Sequence, residues 1–270
     1  MAARAGRGEG SPPPPGPHLD ITGLTLSFGG VAALRAVSLE AARGEIVSII
    51  GPNGAGKTCV FNCISGIYRP QAGRILFNGV DVVGLRPDRV ARLGIARTFQ
   101  NIELFAHMTT LENLLLARHR HMRTGIVAAA LRLPRAVREE VANREHVEEV
   151  IDFLDLQSAR DQLVVSLPYG VRKRVELGRA LALEPALLLL DEPSAGMNAE
   201  EKQDLLFWVQ DLRETFGVTI LLVEHDMQIV MDISDRVHVL NYGERIASGA
   251  PKEVQAHPEV LKAYLGEDGG

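Results

Sequence analysis

The residues with the most specific chemistry form a glycine-rich loop, Gly51-Pro-Asn-Gly-Ala-Gly-Lys-Thr58. The loop has the GxxxxGK[ST] spacing of phosphate-binding loops, and the apolar run Ile46–Ile50 before it has the pattern of a buried strand. Glycine lets backbone N–H groups turn toward phosphate oxygens, and a helix that begins at the end of the loop adds its positive dipole end. The pattern therefore predicts a nucleoside triphosphate site; a glycine-rich turn with a surface lysine is the alternative.

Two residues of this loop have individual predicted roles. Lys57 is expected to reach the β- and γ-phosphates, and Thr58 is expected to ligate Mg²⁺ through its hydroxyl. The predicted nucleotide contacts along the segment are Gly51, Pro52, Asn53, Gly54, Ala55, Gly56, Lys57, Thr58 and Cys59.

A second chemical element is the apolar run Leu187–Leu190, which ends in two carboxylates. Asp191 is predicted to hold Mg²⁺, directly or through water, and Glu192 to polarise the attacking water. A buried strand with a solvated acidic turn is the alternative. Gln100 and His225 each follow a strand-like segment, where a γ-phosphate sensor is needed, and Gln100 is also a predicted metal ligand. An isolated Gln or His on a loop is otherwise usually structural.

Strand and helix patterns must bring these residues together. Residues 20–28 and 36–40 predict two antiparallel strands around Gly29-Gly30. A mainly helical pattern covers residues 111–159. Strands are then predicted at residues 186–191, 218–223 and 236–241, with helices at about 199–215 and 227–233.

These patterns predict an α/β fold: a P-loop nucleotide hydrolase core, with a mixed sheet flanked by helices, an antiparallel β subdomain and an inserted helical subdomain. Residues 1–18 are rich in Gly and Pro and predict a disordered extension. The rest forms a single predicted domain, 19–270, in which 19–99 and 175–250 are the nucleotide core with the β subdomain, 100–174 the helical subdomain and 251–270 a helical tail.

The composition is that of a globular protein. The chain has 270 residues, of which 46% are hydrophobic, and a net charge of −5 that argues against a nucleic-acid-binding surface. The best apolar run, Ala180 to Leu190, is broken by Glu184 and Pro185, so no membrane span is expected. Cys59 and Cys63 are interpreted as small apolar core residues in a reducing cytosol, with a redox or metal pair as the alternative.

The chain resembles the ATP-binding subunits of ABC transporters. The resemblance lies in the order of four features along the sequence: the phosphate loop, Gln100, the Asp191-Glu192 pair and His225. The resemblance runs from about residue 19 to the C-terminus and implies ATP and Mg²⁺ as cofactors. It also implies that Phe28 stacks on adenine, whereas a core position is the alternative for this residue. Ser194–Asn198 would be the D-loop that touches the opposing nucleotide site, or else an ordinary turn and helix cap.

Within that superfamily, the chain is most similar to the LivG-like ATPase subunits of branched-chain amino acid importers. The similar strings are Phe28-Gly-Gly30, Phe61-Asn-Cys63, Arg97-Thr-Phe-Gln100, Thr219–Met227, Ile233–Arg236 and Ala263–Gly266. The resemblance implies a second ATPase subunit and two membrane permease subunits as partners, with an extracytoplasmic binding protein as an indirect one. The chain would be cytoplasmic, peripheral on the inner face of the plasma membrane, with no nucleic-acid partner. Urea or amide uptake, lipopolysaccharide export, and soluble ABC ATPases that act on ribosomes or DNA are the alternatives.

One motif departs from the family pattern. Where most relatives have LSGGQ, this chain has Leu167-Pro-Tyr-Gly-Val171, which lacks the serine hydroxyl and the glutamine amide. Backbone N–H groups of Tyr169 and Gly170 remain at the start of a predicted helix. By the resemblance, Pro168, Tyr169 and Gly170 contact ATP held by the partner subunit. A complete phosphate loop beside a reduced signature favours one member of a heterodimeric pair.

The main basic concentration is Arg118-His-Arg-His-Met-Arg123, extended by Arg132, Arg135 and Arg138. We interpret it as a solvated face. Contact with the anionic inner leaflet or with a membrane subunit is the alternative.

Overall fold

The computed structural model describes residues 16–98, 102–121 and 133–265. Its ten strands in these ranges are β1 Leu19–Phe28, β2 Val31–Ala41, β3 Ile46–Ile50, β4 Ala72–Phe77, β5 Val80–Asp81, β6 Ile95–Arg97, β7 Leu187–Asp191, β8 Thr219–Val223, β9 Arg236–Asn241 and β10 Glu244–Gly249. The α-helices in the same ranges are α1 Lys57–Ile64, α2 Pro87–Arg92, α3 Thr110–Arg118, α4 Pro134–Phe153, α5 Tyr169–Leu181, α6 Ala199–Phe216, α7 Met227–Ile233, α8 Pro251–Gln255 and α9 Pro258–Leu265.

A six-stranded mixed sheet, in the order β10-β9-β3-β8-β7-β6, forms the centre of the fold. Its strands from β9 to β6 run parallel, and β10 pairs antiparallel with β9. Every residue of β3, β7 and β8 is buried, which explains their continuous apolar sequences, because parallel strands are covered on both faces. The carboxyl ends of these three strands lie at one edge of the sheet, where the glycine-rich loop, Asp191 and His225 follow.

A separate antiparallel sheet has the order β2-β1-β4-β5. Strands β1 and β2 form a hairpin in which Phe28 pairs with Val31, so the two antiparallel strands predicted around Gly29-Gly30 are confirmed. Its apolar face packs into the same core as α1, through Leu24, Leu34 and Phe61 among others. This sheet therefore lies over the helix that follows the glycine-rich loop.

The helices between β6 and β7 form a further part of the core. Gly178 of α5 allows close packing, because an added Cβ would lie 3.1 Å from Leu154 Cδ1 and 3.3 Å from Leu114 Cδ2. These helices join one apolar cluster with β7, β8 and α6. The mixed sheet with flanking helices and the additional antiparallel sheet confirm the predicted fold class. The proposed subdomain boundary at residue 174 falls within the continuous helix α5.

Arg118 corrects the interpretation of the basic cluster as a solvated face. It is 7% exposed, and its guanidinium donates to Asn143 Oδ1 at 2.9 Å, to the Ala182 carbonyl at 2.9 Å and to Glu184 Oε1 at 2.8 Å. The residue therefore ties α3 to α4 and to the end of α5. Arg135 is exposed, as expected, whereas Met122, Arg123 and Arg132 lie outside the described residues.

Candidate nucleotide site

The glycine-rich loop takes a conformation that depends on its glycines. Gly51 has φ 146° and Gly56 has φ 103°. A Cβ on Gly51 would lie 2.0 Å from the Leu240 carbonyl oxygen, and one on Gly56 would lie 2.7 Å from the Ala33 carbonyl oxygen. The loop is therefore fixed between β9 and β2 at two points that accept only glycine. Gly56 caps the start of α1, so the backbone N–H groups of the first turn of that helix lie next to the loop.

Lys57 folds back onto this loop. Its ammonium donates to the carbonyl oxygens of Gly51 at 2.6 Å and Pro52 at 2.9 Å, and the residue is only 5% exposed. Thr58, one residue further along α1, is exposed. A cation and a hydroxyl therefore lie at the start of one helix, beside a ring of backbone groups suited to an anion.

Asp191, at the end of β7, is buried and paired with an arginine. Its Oδ2 accepts from Arg97 Nη2 at 2.7 Å, and the side chains of Arg97 and Asp191 are 8% and 2% exposed. Burial raises the pKa of Asp191 above its ordinary value, and the Arg97 guanidinium opposes that shift. Arg97 Nη1 also donates to Asn62 Oδ1 of α1 at 2.7 Å.

Glu192 and His225 meet directly at the sheet edge. Glu192 Oε1 lies 2.7 Å from His225 Nε2, and the Glu192 backbone N–H donates to the Val223 carbonyl at 2.9 Å. Glu192 has φ 48°, a left-handed conformation that a non-glycine residue adopts at an energetic cost. A strained backbone of this kind persists only where the surrounding structure enforces it, and such residues are common at functional sites.

The neighbouring carboxylate of Glu224 organises the same edge. Glu224 is 2% exposed; its Oε1 accepts from the Ser194 N–H at 2.9 Å and its Oε2 from the His225 N–H at 3.0 Å. It therefore holds the turn after Glu192 and the turn after β8 in one arrangement. Glu224 and Arg97 are the two site residues whose roles the sequence analysis missed, although each lay within a quoted string. The available signal was a charged residue next to an apolar strand.

Phe28 does not occupy the core position considered for it. It is 46% exposed at the tip of the β1–β2 hairpin, and its ring meets Tyr68 edge to face at a centroid distance of 5.1 Å. Gln71 fixes this tip: its side chain accepts from the Ser27 N–H at 2.9 Å and donates to the Ser27 carbonyl at 3.0 Å. An accessible aromatic surface is thus held on the sheet that packs over α1.

The reduced signature begins helix α5. Pro168 is the N-cap residue and makes no side-chain capping hydrogen bond. The Tyr169 hydroxyl donates to the Ala195 carbonyl at 3.1 Å, which joins the signature to the predicted D-loop. A Cβ on Gly170 would lie 1.8 Å from Glu201 Oε1, so a larger residue here would have to displace the Glu201 side chain in the first turn of α6.

The structure brings the glycine-rich loop, Asp191, Glu192 and His225 to one edge of the central sheet, at the carboxyl ends of β3, β7 and β8. Gln100 lies outside the described residues. Cys59 is half-buried and Cys63 is buried, as expected for small apolar residues; burial raises the pKa of both thiols, to about 12 for Cys63.

A large cavity lies away from this edge. It has a volume of about 630 Å³ and its walls include His146, Phe153, Ala186 and Phe216. Ala186 directly precedes β7, which places the cavity at the amino ends of the strands. In the described ranges there is no group of three or more His, Cys, Asp or Glu side chains suited to a metal ion, and no helix long and apolar enough to cross a membrane.

Comparisons with known proteins agree with this geometry. Residues 34–195 match the profile of the ABC transporter family. The chain belongs to the ABC transporter family. This ABC ATPase binds and hydrolyses ATP, as the resemblance implied. Its last part, residues 244–270, matches a second profile, described as the branched-chain amino acid ATP-binding cassette transporter.

Relatives of this ABC ATPase cover nearly its whole length. The high-affinity branched-chain amino acid transport ATP-binding protein BraF of Pseudomonas aeruginosa is 43% identical, over 93% of this chain and 98% of BraF. The corresponding LivG of Escherichia coli is 42% identical over the same shares. Among solved structures, the ADP conformation of MJ1267, an ATP-binding cassette of an ABC transporter, has a TM-score of 0.81 at 32% identity and covers 93% of this chain and 99% of MJ1267.

Proposed function

We propose that this chain is the ATP-hydrolysing subunit of an importer of branched-chain amino acids, and that it works with a second ATPase subunit and two membrane permease subunits. The proposed cargo rests on similarity over the whole length of the chain: BraF is 43% identical over 98% of its length, and the C-terminal segment 244–270 matches a profile of the same transport class. Relatives of the chain are ATP-binding proteins of branched-chain amino acid transport, so we propose that it works at the cytoplasmic face of the plasma membrane, next to its permease partners.

ATP binding is proposed to use the glycine-rich loop and the hairpin tip. The N–H groups at the start of α1 and the ammonium of Lys57 would bind the phosphates, which requires Lys57 to exchange its bonds to the Gly51 and Pro52 carbonyls for bonds to phosphate oxygens. The exposed ring of Phe28 would stack on adenine.

The available oxygen donors fit Mg²⁺. Thr58 offers an exposed hydroxyl and Asp191 a carboxylate, both hard ligands of the type that Mg²⁺ prefers, and Gln100 is a further proposed donor. Bound Mg²⁺ would neutralise charge on the phosphate oxygens. Two protein side chains suffice, because Mg²⁺ keeps several waters and takes its remaining ligands from phosphates.

Glu192 is the proposed general base. Its contact with His225 Nε2 at 2.7 Å orients the carboxylate, and the left-handed backbone at Glu192 holds it at the sheet edge. The carboxylate would accept a proton from the attacking water, while His225 would stabilise charge that develops on the γ-phosphate. Gln100 would sense the same phosphate from the start of the helical insert.

The second subunit is proposed to differ from this one. The chain has a complete phosphate loop, but Pro168 and Val171 remove two side-chain donors from the face that would meet the partner's ATP. Two closed subunits share two ATP molecules, so loss of donors here weakens the partner's site and leaves this chain's own loop unaffected. A heterodimer limits that loss to one of the two sites.

Transport in proteoliposomes tests the proposal. The chain is reconstituted with the permease subunits and the partner ATPase encoded in its genome, together with a binding protein, and uptake of radiolabelled leucine and urea is followed with ATP inside. We expect leucine uptake, its loss in Glu192→Gln, and wild-type uptake in Glu145→Gln, a control on the exposed surface of α4. Uptake of urea without uptake of leucine would refute branched-chain amino acids as the cargo. Leucine uptake by Glu192→Gln would refute the role of Glu192 as the general base.

A further inference from the structure

Arg97 connects the two elements that carry the proposed Mg²⁺ ligands. One end of its guanidinium donates to Asp191 Oδ2 of β7 at 2.7 Å, and the other donates to Asn62 Oδ1 of α1 at 2.7 Å. Asn62 lies four residues after Thr58, so the two side chains share one face of α1. The planar fork of an arginine thus spans from the helix of Thr58 to the strand of Asp191.

The position of Arg97 is itself tightly fixed. The residue ends β6, which pairs in register with β7, so that Arg97 lies beside Leu189. Its guanidinium also lies 5.6 Å from the centroid of the buried Phe61 ring, and its side chain is 8% exposed. A buried, rigid fork between two elements fixes their spacing, whereas a flexible surface pair would not.

Two opposing effects on a metal ion must be compared. A guanidinium near Asp191 repels a divalent cation, which by itself would weaken metal binding. Without a counter-charge, however, a carboxylate that is 2% exposed would be strongly destabilised in its ionised form, and its orientation would be lost. The guanidinium is hydrogen-bonded to Oδ2 of Asp191. We expect the orienting effect of Arg97 to outweigh its repulsion of the cation, because the groups that orient metal ligands contribute strongly to metal affinity.

We propose that Arg97 is a positioning residue for the metal: it holds the Asp191 carboxylate, and through Asn62 the helix of Thr58, at the spacing that Mg²⁺ requires. This inference rests on the proposed function of Thr58 and Asp191 as metal ligands. The role belongs to the chain's own site and needs no partner subunit.

Metal affinity, measured apart from turnover, tests this proposal. The purified chain, in excess over a non-hydrolysable ATP analogue, is titrated with Mn²⁺ as the probe ion, and bound Mn²⁺ is followed by electron paramagnetic resonance. Arg97→Gln is expected to weaken Mn²⁺ binding roughly 10–100-fold, the range found when partners of metal ligands are removed. Arg97→Lys keeps the charge but not the fork, and should still weaken binding. Asn62→Ala, which removes only the α1 side of the bridge, should weaken it several-fold.

Controls separate positioning from other causes. Binding of a fluorescent ATP analogue in EDTA should stay at the wild-type level in all three variants, which reports an intact loop. Arg89→Gln, at an exposed arginine of α2, should leave Mn²⁺ binding unchanged. Tighter Mn²⁺ binding in Arg97→Gln with wild-type binding in Arg97→Lys would show that charge alone matters and would overturn the proposal. Unchanged binding in Asn62→Ala would overturn the bridge to α1. Absence of Mn²⁺ binding by the wild type would instead refute the metal site itself.

Discussion

Glu224→Ala tests whether one buried carboxylate organises the catalytic edge of the sheet. Glu224 is 2% exposed and accepts three backbone hydrogen bonds, from Ser194 at 2.9 Å, from His225 at 3.0 Å and from Asp226 at 3.4 Å. Alanine removes the acceptor and leaves all three backbone donors without it. These donors belong to turns that carry proposed functional residues, so the change should affect stability and turnover together.

The expected loss of stability follows mainly from the two shorter bonds, because the bond from Asp226, at 3.4 Å, is longer than the usual N–H···O distance. A hydrogen bond to a charged group contributes about 1.5–3 kcal/mol, so the two shorter bonds contribute at most about 6 kcal/mol. The buried charge of Glu224 itself has a desolvation cost that alanine relieves, which brings the expected net loss to about 2–4 kcal/mol. Glu224→Gln keeps one acceptor oxygen but presents an amide group to the other N–H, and should lose about 1–3 kcal/mol.

Urea unfolding, followed by the fluorescence of the single tryptophan, Trp208, measures the free energy of unfolding of these variants. Glu145→Gln, at an exposed position of α4, is the matched control and should remain within about 0.5 kcal/mol of wild type. ATPase turnover of the assembled pair should fall by at least tenfold in Glu224→Ala, because His225 loses the bond that sets its backbone. If Glu224→Ala unfolds within 0.5 kcal/mol of wild type, the carboxylate does not organise this edge.

Three further changes have defined outcomes. Pro168→Ser with Val171→Gln should stabilise α5 by about 1 kcal/mol through a new N-cap and raise turnover of the pair; unchanged thermal melting and turnover would contradict this. Gly51→Ala should abolish ATP binding, because its Cβ would meet the Leu240 carbonyl oxygen at 2.0 Å, whereas at Gly54 a Cβ meets open space and alanine should cost only about 1 kcal/mol of backbone strain. Burial lowers the pKa of His238 from 6.5 to about 4 in the folded chain. Between pH 6.5 and pH 4 the unfolded chain therefore binds a proton that the folded chain does not, and the free energy of unfolding should fall by up to about 3 kcal/mol as the pH decreases over this range. This pH-dependent loss of stability should be absent in His238→Gln.

The sequence predicted the strands and loops of the site well because their signals are local. The apolar runs before Gly51 and Asp191 have the length and composition of buried parallel strands, and each is followed directly by its chemical group. Carboxyl ends of parallel strands meet at one edge, so the grouping of the loop, the acidic pair and His225 followed from topology alone. Helix propensity likewise indicated α6 and α7 within one or two residues of their ends.

Arg118 shows why the interpretation of the basic cluster failed. The residues that follow it, His119 to Arg123, are mostly charged or polar, and a run of this kind is usually solvated. Its hydrogen-bond partners are Asn143, Ala182 and Glu184, which lie 25 to 66 residues away in the sequence. The local sequence pattern does not indicate them. Burial of a charged side chain depends on which elements pack around it, which is a property of the folded chain.

The sequence by itself determined what this chain binds: the spacing of Gly51 to Thr58 and the paired carboxylates after an apolar strand encode a phosphate site within a few consecutive residues each. Only the tertiary structure decided how that site is held. Arg97 reaches Asp191, 94 residues away, because β6 pairs with β7, and the order of strands in a sheet is fixed by the packing of the whole domain. Glu224 joins two turns for the same reason. Local backbone chemistry can be read from adjacent residues, whereas the partners that position it come from distant parts of the chain.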